Sequence, residues 1–436
     1  MRRVLVVTYY FPPAGGSGVQ RMLKTVRYFR DAGYEPVVLT VEAGAYPSLD
    51  ASLAADVPEG VEVIRTKAPD PFALYGRLTG RAKEDAVVVG SVESDSLVAR
   101  LALWARANVF LPDARVGWVP FALRAARSRL GAAARQGEPF AAVLTSGPPH
   151  SVHLVGLGLR RTGVPWIADF RDPWTTINFY DQLPMTRLAR ALDRRLERKV
   201  LREAEAVLTV SPACARQIEG SGSLPGGTVR VVHNGADEAD LNPEAEVRQD
   251  AFVLGHVGSM YASRNPTALW AALGRLHAEG AIPRLVVRLI GRVDPANVAD
   301  ARATGVAVET EPYVPHDQAV REMAEAALLL LSIEAYDGDR GVLTGKLYEY
   351  LASGRPVLGL GPLDGDAAAL LAETGGGPMH ARDDVDGIAA AVLRHYEAWA
   401  AGAPEAGAPW AAVAPYTRRA QTLEIGRLIG RLGRPS

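Results

Sequence analysis

The sequence predicts an α/β protein built from two doubly wound, Rossmann-like domains. Short Val/Ile/Leu-rich runs alternate with helix-length segments rich in Arg, Ala and Leu, which is typical of βαβ units and a parallel sheet. The alternation stops once, at the Asp-, Glu-, Asn- and Pro-rich stretch 236–250, and then restarts. In addition, 436 residues are too many for a single hydrophobic core. These observations together favour two domains of the same class joined by a linker.

The apolar runs give the predicted strands in chain order. In the first half they are residues 4–8, 35–40, 61–66, 141–146, 165–170, 204–210 and 229–234. In the second half they are residues 252–259, 284–291, 306–314, 327–333 and 355–361. We therefore predict a first domain over 1–240, a second over 241–400, and a segment 401–436 whose helix packs back toward the first domain. The ligand is expected in the cleft between the carboxyl ends of the two sheets.

Composition and charge narrow the class of protein. Hydrophobic residues make up 48% and charged residues 22% of the chain, which is ordinary for a soluble globular protein. The formal net charge of −1 gives no general attraction to nucleic acid, so no nucleic-acid partner is expected. No apolar run reaches about 18 residues, so no transmembrane helix is predicted. The single Cys214 rules out an intramolecular disulfide and a cysteine metal cluster, and it fits a cytoplasmic protein.

The stretch TGKLYEYLASGRPVLGLG, residues 344–361, predicts a helix followed by a buried strand. Leucines recur every four residues along the helix, and Gly-Arg-Pro ends it. Lys346 and Glu349 lie together on another side of the helix, near its start. One interpretation is an exposed ion pair, which would contribute only a few tenths of a kcal/mol. The other is a ligand site at the end of a parallel sheet.

A glycine-rich loop, PPAGGSG, follows the first predicted strand and precedes a helix. Glycines let the backbone approach a ligand closely, and a helix N-terminus offers N–H groups to an anion. We therefore expect Gly15 and Gly16 to contact phosphate, the alternative being an ordinary βα turn. The loop does not spell G-x-G-x-x-G, so dinucleotide binding is not expected there.

The first strand of the second domain ends in GHVGSMYASRNP, residues 255–266. Gly258 and Ser259 end the strand, and Arg264 precedes a predicted helix. A cation at the carboxyl end of a strand, beside a helix start, suits a pyrophosphate. Lys346 would add a second positive charge, and Glu349, one turn deeper in its helix, is placed to accept hydrogen bonds from ribose.

These motifs together resemble the retaining glycosyltransferases of family 4, which have the GT-B fold and use a nucleotide-diphosphate sugar. The segments that match the family's order are YYFPPAGGSGVQRMLK, TSGPPHSVHLVG, ADFRDPWT, NGADEADL, VGSMYASRNP, YVPHDQA and GKLYEYLASGRPVLGLG. The resemblance covers most of the chain. It implies two Rossmann-like domains and a nucleotide-sugar donor.

The resemblance also assigns residues to the donor site. The family commonly has two glutamates separated by seven residues; Glu349 matches the second, and Gly341 stands at the first. Thr344, Gly345 and the backbone around them remain available to support the hydroxyls of the donor sugar. On the diphosphate, the resemblance departs from the usual Arg and Lys pair, because Ser259 stands at the usual arginine and Arg264 at the usual lysine. Val314 in YVPHDQA is expected among the residues that bind the nucleotide sugar.

Four further residues of the first domain are candidates for contact with the sugar or the acceptor. The family often has a histidine after the fifth strand, and this chain has Arg171 and Asp172 there. We expect both to act at the reaction centre, the alternative being a buried structural ion pair. His150 and His153 follow the fourth strand, in GPPHSVH, and either one could face the ligand or support other residues.

The expected reaction is transfer of a sugar from the nucleotide donor to a cell-envelope, polysaccharide or lipid-linked acceptor. Arg264, Lys346 and helix N-termini would stabilise the leaving pyrophosphate, so neither a metal nor another cofactor is expected. Two basic, apolar segments, 97–130 and 187–202, are either ordinary helix faces or a peripheral contact with an anionic membrane at the inner face. The alternatives to the transferase are a nucleotide-sugar epimerase of the same fold and an inactive nucleotide-sugar-binding protein.

Overall fold

The structure is a computed structural model, and it describes residues 1–44, 46, 49–68, 97–177, 180–222, 224–240, 246–336 and 338–433. By its internal contacts the chain forms two compact units. Unit 1 comprises Met1–His233 and Gln421–Ser436, and unit 2 comprises Asn234–Ala420. Each unit is an α/β fold around one parallel sheet.

The sheet of unit 1 has seven strands in the order β3-β2-β1-β4-β5-β6-β7, and all neighbours are parallel. The strands are β1 (Arg2–Thr8), β2 (Tyr34–Val41), β3 (Glu62–Thr66), β4 (Ala142–Gly147), β5 (Trp166–Phe170), β6 (Ala206–Thr209) and β7 (Arg230–Val231). Side chains alternate between the two faces of β1: Leu5 and Val7 join one hydrophobic cluster, and Val4 and Val6 join another. Both faces are therefore buried, which explains why the strands are continuous apolar runs in the sequence.

Helices cover both faces of this sheet. They are α1 (Ser17–Tyr28), α2 (Leu97–Asn108), α3 (Val119–Arg135), α4 (Val152–Leu159), α5 (Arg187–Glu203) and α6 (Pro212–Gly222). On one face, α1 packs Met22 and Leu23 against the sheet, and on the other α3 packs Ala126 and Leu130. The glycine-rich loop joins the end of β1 to α1, as the sequence predicts.

The sheet of unit 2 has six parallel strands in the order β10-β9-β8-β11-β12-β13. The strands are β8 (Phe252–Val257), β9 (Leu285–Ile290), β10 (Ala307–Glu311), β11 (Leu328–Ser332), β12 (Val357–Leu360) and β13 (Met379–His380). The helices are α7 (Thr267–Ala278), α8 (Pro295–Ala303), α9 (His316–Glu325), α10 (Gly345–Ala352), α11 (Asp366–Thr374), α12 (Val385–Ala400) and α13 (Trp410–Val413). Neighbouring leucines of β11 again alternate between two hydrophobic clusters.

The final helix, α14 (Arg418–Leu432), belongs mostly to unit 1. Its Ile425, Leu428 and Ile429 are buried in the same cluster as α1 and β1. The compact units therefore differ in their bounds from the predicted domains, which end at residues 240 and 400. The predicted linker 236–250 is described only in part, because residues 241–245 lie outside the described residues.

The predicted fold class is confirmed, because each of the twelve predicted apolar runs overlaps a strand of one of the two sheets. The prediction missed β13, which has only two residues. Within the described ranges, no helix is long and apolar enough to cross a membrane.

Candidate functional site

The carboxyl end of the unit 2 sheet brings together several of the predicted donor-site residues. Lys346 lies in the first turn of α10, and its Nζ donates hydrogen bonds to the carbonyl oxygen of Ser259 at 3.1 Å and to Nε2 of His256 at 3.3 Å. Among the described residues, no ion pair joins Lys346 to Glu349. The interpretation of an exposed ion pair is therefore wrong. Lys346 is instead fixed at the end of β8.

The surroundings of Lys346 disfavour its charged form. Burial lowers the pKa of Lys346 to about 8, and the nearby Arg264 guanidinium acts in the same direction. The Glu349 carboxylate opposes both effects. A lysine whose charge is this poorly compensated is expected to attract an anion, because an anion restores the favourable environment of the ammonium group.

Gly258 is required by this arrangement. It has φ of +114°, and a Cβ atom there would lie 3.1 Å from Nζ of Lys346. Any other residue would be strained in the backbone and would crowd the ammonium group. The glycine that follows β8 is therefore explained by the close approach of Lys346.

Arg264 ends a short 3₁₀ helix, Ala262–Arg264, after β8. Its carbonyl oxygen accepts a hydrogen bond from the hydroxyl of Ser332 at 2.8 Å. The guanidinium lies over the ring of Tyr261, and its Nε is 3.8 Å from Oε2 of Glu334. The ion pair is long, so much of the hydrogen-bonding capacity of Arg264 remains for a ligand.

The neighbouring residue, Asn265, lies just before α7. Asn265 does not cap α7, which starts at Thr267 with Pro266 at the N-cap position. The side chain of Asn265 instead donates to Asp300 at 2.6 Å and accepts from the indole of Trp270 at 2.7 Å. Asn265 fixes the start of α7 through side chains: its amide nitrogen bonds to Asp300, and its Oδ1, the atom that could accept from a helix N–H group, accepts from Trp270 instead.

The start of α10 offers hydrogen-bond donors to a ligand. Thr344 is the N-cap residue, yet its side chain makes no capping hydrogen bond. Its Oγ1 is buried and has no hydrogen-bond partner within the part of the chain that the structure describes. The first N–H groups of a helix, here those of Gly345 and Lys346, also have no acceptor inside the helix. Val314, the other predicted contact, is buried between β10 and α9.

Glu349 lies one turn beyond Lys346 and lines a cavity of about 210 Å³ with Asp240, Ser353 and Met323, among others. Burial raises the pKa of Glu349, while Arg418 and His316 lower it. Its carboxylate is thus half-buried and faces a space large enough for polar groups of a ligand.

Gly341, the position of the missing family glutamate, ends a short 3₁₀ helix, Asp339–Gly341. Arg382 holds this loop: its Nη2 donates to Oδ2 of Asp339 at 2.6 Å, and its Nε donates to the carbonyl oxygen of Ile333 at 3.0 Å. Arg382 could not be found from the sequence, because nothing in its local pattern relates it to a loop more than forty residues earlier.

In unit 1, Arg171 and Asp172 follow β5 as predicted, but they do not form a pair buried together. The guanidinium of Arg171 donates to the carbonyl oxygens of Gly147, Gly18 and Pro148. A Cβ atom on Gly18 would lie 2.6 Å from Nη1 of Arg171, so only glycine allows this contact. Arg171 therefore joins the start of α1, which follows Gly15 and Gly16 of the glycine-rich loop, to the ends of β4 and β5. Asp172, in contrast, is exposed.

The buried ion pair of this region is a different one. Arg21 of α1 donates to both oxygens of Asp169 at 2.9 and 3.1 Å, and Ser146 donates to the same carboxylate at 2.8 Å. Both charged side chains are almost fully buried. The pair fixes α1, and with it the glycine-rich loop, against the ends of β4 and β5. This ion pair could not be found from the sequence, because the two residues are 148 positions apart.

His150 and His153 belong to an aromatic stack and not to an open surface. The ring of His153 stacks on Phe170 at 4.3 Å, and the ring of His150 stacks on Trp174 at 5.1 Å. Burial and the charge of Arg171 lower the pKa of His150 to about 3, and burial also lowers the pKa of His153. Both imidazoles are therefore neutral at physiological pH.

Two buried carboxylates of α5 hold the loop that follows Asp172. Asp193 accepts hydrogen bonds from the indole of Trp174 at 3.0 Å and from the hydroxyl of Tyr180 at 2.9 Å. Glu197 accepts from the hydroxyl of Thr175 at 2.5 Å. The segment 187–202 thus has a buried acidic face as well as the basic exposed face that its composition predicts.

A larger cavity, of about 970 Å³, lies at the amino ends of the strands of the unit 1 sheet and is lined in part by Arg2, Arg127 and Arg161. Ligands of doubly wound sheets bind at the carboxyl ends of the strands, and this cavity lies at their amino ends. In the described part of the chain, no group of three or more His, Cys, Asp or Glu side chains could hold a metal ion.

Comparison with solved structures shows the class of fold. Anabaena Alr3699/HepE, solved in complex with UDP and glucose, has a TM-score of 0.60 at 13% identity, covering 99% of this chain and 100% of that one. A glycosyltransferase from Rickettsia africae has a TM-score of 0.60 at 10% identity, covering 100% and 99%. A variant of S. aureus TarM, in complex with fondaparinux, alpha-GlcNAc-glycerol and UDP, has a TM-score of 0.55 at 9% identity, covering 98% and 96%. The fold is thus that of the GT-B glycosyltransferases.

The family follows from the sequence. The glycosyl transferase 4-like domain matches residues 15–235, just over half of the chain. A comparison with curated proteins gave no significant match. The protein belongs to the glycosyl transferase 4-like family.

Proposed function

We propose that the protein transfers a sugar, with retention, from a nucleoside-diphosphate sugar to a cell-envelope, polysaccharide or lipid-linked acceptor. The observation that carries the proposal is the fixed ammonium group of Lys346 at the carboxyl end of the unit 2 sheet. Two of its N–H groups bond to Ser259 and His256, and the third has no partner among the described residues. A buried cation with one free donor, next to the unpartnered hydroxyl of Thr344, suits a diphosphate.

The proposed roles follow from these positions. Lys346, Arg264 and the N–H groups at the start of α10, near Gly258 and Ser259, bind the diphosphate and stabilise it as it leaves. Glu349 accepts hydrogen bonds from the ribose, and the backbone at Val314 contacts the base. No metal or other cofactor is part of this proposal.

In unit 1, Asp172 is proposed to contact the sugar or the acceptor, because it is exposed beside the rigidly held Arg171. Gly15 and Gly16 precede α1 and are proposed to approach a phosphate group. His150 and His153 are proposed to act through the aromatic stack, by holding the β4 and β5 loops in place.

The first experiment is a thermal-shift screen of nucleoside-diphosphate sugars, followed by turnover of the best donor. A donor at about a hundred times its Kd adds roughly 2.7 kcal/mol to the free energy of unfolding. UDP-sugars are tested first, because Anabaena Alr3699/HepE and S. aureus TarM were solved with UDP. Slow hydrolysis of the donor supports the proposed transferase activity. Conversion of the donor to its epimer would instead show that the protein is a nucleotide-sugar epimerase.

We further propose that unit 1 docks on the inner face of an anionic membrane in the cytoplasm. Several large apolar side chains are exposed near the junction of α2 and α5, among them Trp104, Val109, Leu188 and Leu192. Asn108 joins the two helices, since it bonds to residues 184 and 186 just before α5. Exposed arginines accompany the leucines on α5: Arg187, Arg194 and Arg195. Apolar and basic side chains on one face suit the boundary of an anionic bilayer.

The protein is therefore expected to bind liposomes that contain phosphatidylglycerol, with an affinity that falls as salt rises. Replacing Leu188 and Leu192 together by serine should weaken this binding about tenfold or more, since each leucine contributes apolar burial. Sedimentation with liposomes measures both effects. The control is Leu363→Ser, which removes an equally exposed leucine from unit 2. Absence of binding at low salt would refute the membrane proposal and leave the transferase untouched.

A further inference from the structure

His256 is a buried, ionisable side chain within an otherwise apolar strand. It lies in β8, is 2% exposed, and is placed between the neighbouring strand β11 and Lys346 of α10. Its Nδ1 is 3.1 Å from the carbonyl oxygen of Leu330, and its Nε2 is 3.3 Å from Nζ of Lys346. A leucine would fill such a position without the free-energy cost of burying a polar group. The imidazole is therefore expected to have a role that depends on its polar atoms.

The two contacts determine the tautomer of His256. A carbonyl oxygen can only accept, so Nδ1 must carry the proton that bonds to Leu330. Burial and the nearby charge of Lys346 lower the pKa of His256 to about 3, so the imidazole carries no second proton at neutral pH. Nε2 is therefore an acceptor, and Lys346 is the donor.

We propose that His256 is a positioning residue that holds the ammonium group of Lys346 at the diphosphate site. This inference rests on the proposed function of that site. Only two acceptors bond to Nζ among the described residues: the carbonyl oxygen of Ser259 and Nε2 of His256. Of these, His256 is itself held by its hydrogen bond to Leu330 of β11. It therefore restricts the position of the flexible lysine side chain.

The other charged groups facing Lys346 do not replace this contact. Arg264 repels the ammonium group, and Glu349 attracts it without forming an ion pair among the described residues. Losing the acceptor would thus leave the ammonium group more mobile and more costly to keep charged. Both changes weaken the binding of an anion.

The test compares two polar replacements of His256. In His256→Gln, the side-chain amide reaches the position of Nε2 and can still accept from Lys346. In His256→Asn, the shorter amide can bond to Leu330 but does not reach Lys346. We expect the Kd for UDP to rise about tenfold or more in His256→Asn and to stay within about threefold of the wild type in His256→Gln.

A second readout needs no ligand. Acylation of Lys346 by acetic anhydride, followed by mass spectrometry over a range of pH, reports where the lysine loses its proton. The midpoint should move to lower pH in His256→Asn and remain close to the wild-type value in His256→Gln. The control is the same pair of replacements at His395, a buried histidine of α12, where asparagine and glutamine should give the same result.

The outcomes separate this inference from the proposed function. If wild-type protein fails to bind UDP or other nucleoside diphosphates but the acylation midpoint shifts, the proposed function fails and the positioning role stands. Equal behaviour of the two His256 variants in both measurements would overturn the inference. If both variants unfold, nitrogen NMR of histidine-labelled wild type decides: a proton on Nε2 of His256 overturns the proposal, and one on Nδ1 supports it.

Discussion

Replacing Lys346 by alanine is expected to weaken the binding of a nucleoside diphosphate about ten- to hundredfold. The binding of the nucleoside alone should hardly change. The variant removes a charge-assisted hydrogen bond to the diphosphate, whereas the base and ribose contact other residues. Calorimetric titration with UDP and with uridine measures both affinities in the same variant.

The pH dependence of this binding has a definite sign. The pKa of Lys346 is lowered to about 8, so the ammonium form is present below that pH and is lost above it. Since the ammonium form attracts the anion, the Kd for UDP should rise as the pH increases through about 8. Bound diphosphate raises the pKa of the lysine again. The Kd should therefore stop rising only above this higher pKa, where the lysine is deprotonated in the complex as well. The variant Lys346→Arg should lose the dependence, because arginine stays charged.

Arg264→Ala should show the same selectivity for the diphosphate. The matched control is Arg275→Ala, an arginine of α7 that pairs with Asp386 on the surface. It should leave both affinities unchanged. Equal losses for UDP and uridine in the Lys346 and Arg264 variants would mean that neither residue touches the phosphates.

Replacing Glu349 by alanine is expected to cost roughly 1.5–3 kcal/mol in donor binding, the range for a hydrogen bond to a charged group. A loss of affinity alone would not identify the ribose, because a damaged helix would have the same effect. We therefore cross Glu349→Ala with donors that lack the 2′- or the 3′-hydroxyl. If the carboxylate accepts from one of these hydroxyls, the protein change and the donor change must be strongly non-additive.

The control for this cycle is Ser353→Ala, since Ser353 lines the same cavity of about 210 Å³ and is the C-cap residue that follows α10. Its cycle with either deoxy donor should be additive. Additivity of the Glu349 cycle with both deoxy donors would remove Glu349 from the ribose site. Glu349 would then be only one of the residues that line the cavity, together with Asp240.

Much of the fold could be predicted because both sheets are buried on both faces. Strands such as β4 and β11 then begin with runs of three or four apolar residues, and the helices between them stand out by contrast. The strand β13 could not be found, because two residues carry no periodicity. The division of the chain was predicted from a polar stretch. Internal contacts assign α14 mostly to unit 1, the domain toward which the helix of segment 401–436 was expected to pack.

The positions of the candidate-site residues could be predicted where those residues follow strands. Gly258, Arg264 and Lys346 lie at the carboxyl ends of strands or the start of a helix, which are positions that sequence patterns identify. His256 and Asp169 lie inside apolar strands, and their partners Lys346 and Arg21 are distant in the chain. Such pairs are fixed by tertiary packing alone. The same reason explains why Asp193 and Glu197 were hidden within a helix whose composition is mainly basic.

The place of α14 in the core of unit 1 has a consequence for biosynthesis. Ile425, Leu428 and Ile429 leave the ribosome after the whole of unit 2, yet they cover the same side of the sheet as α1. Domains usually fold during translation in the order of their synthesis. Here the first unit to emerge must wait with part of an apolar surface uncovered until the second has been made. A nascent chain arrested before residue 421 would therefore be a better substrate for chaperones and proteases than its length suggests.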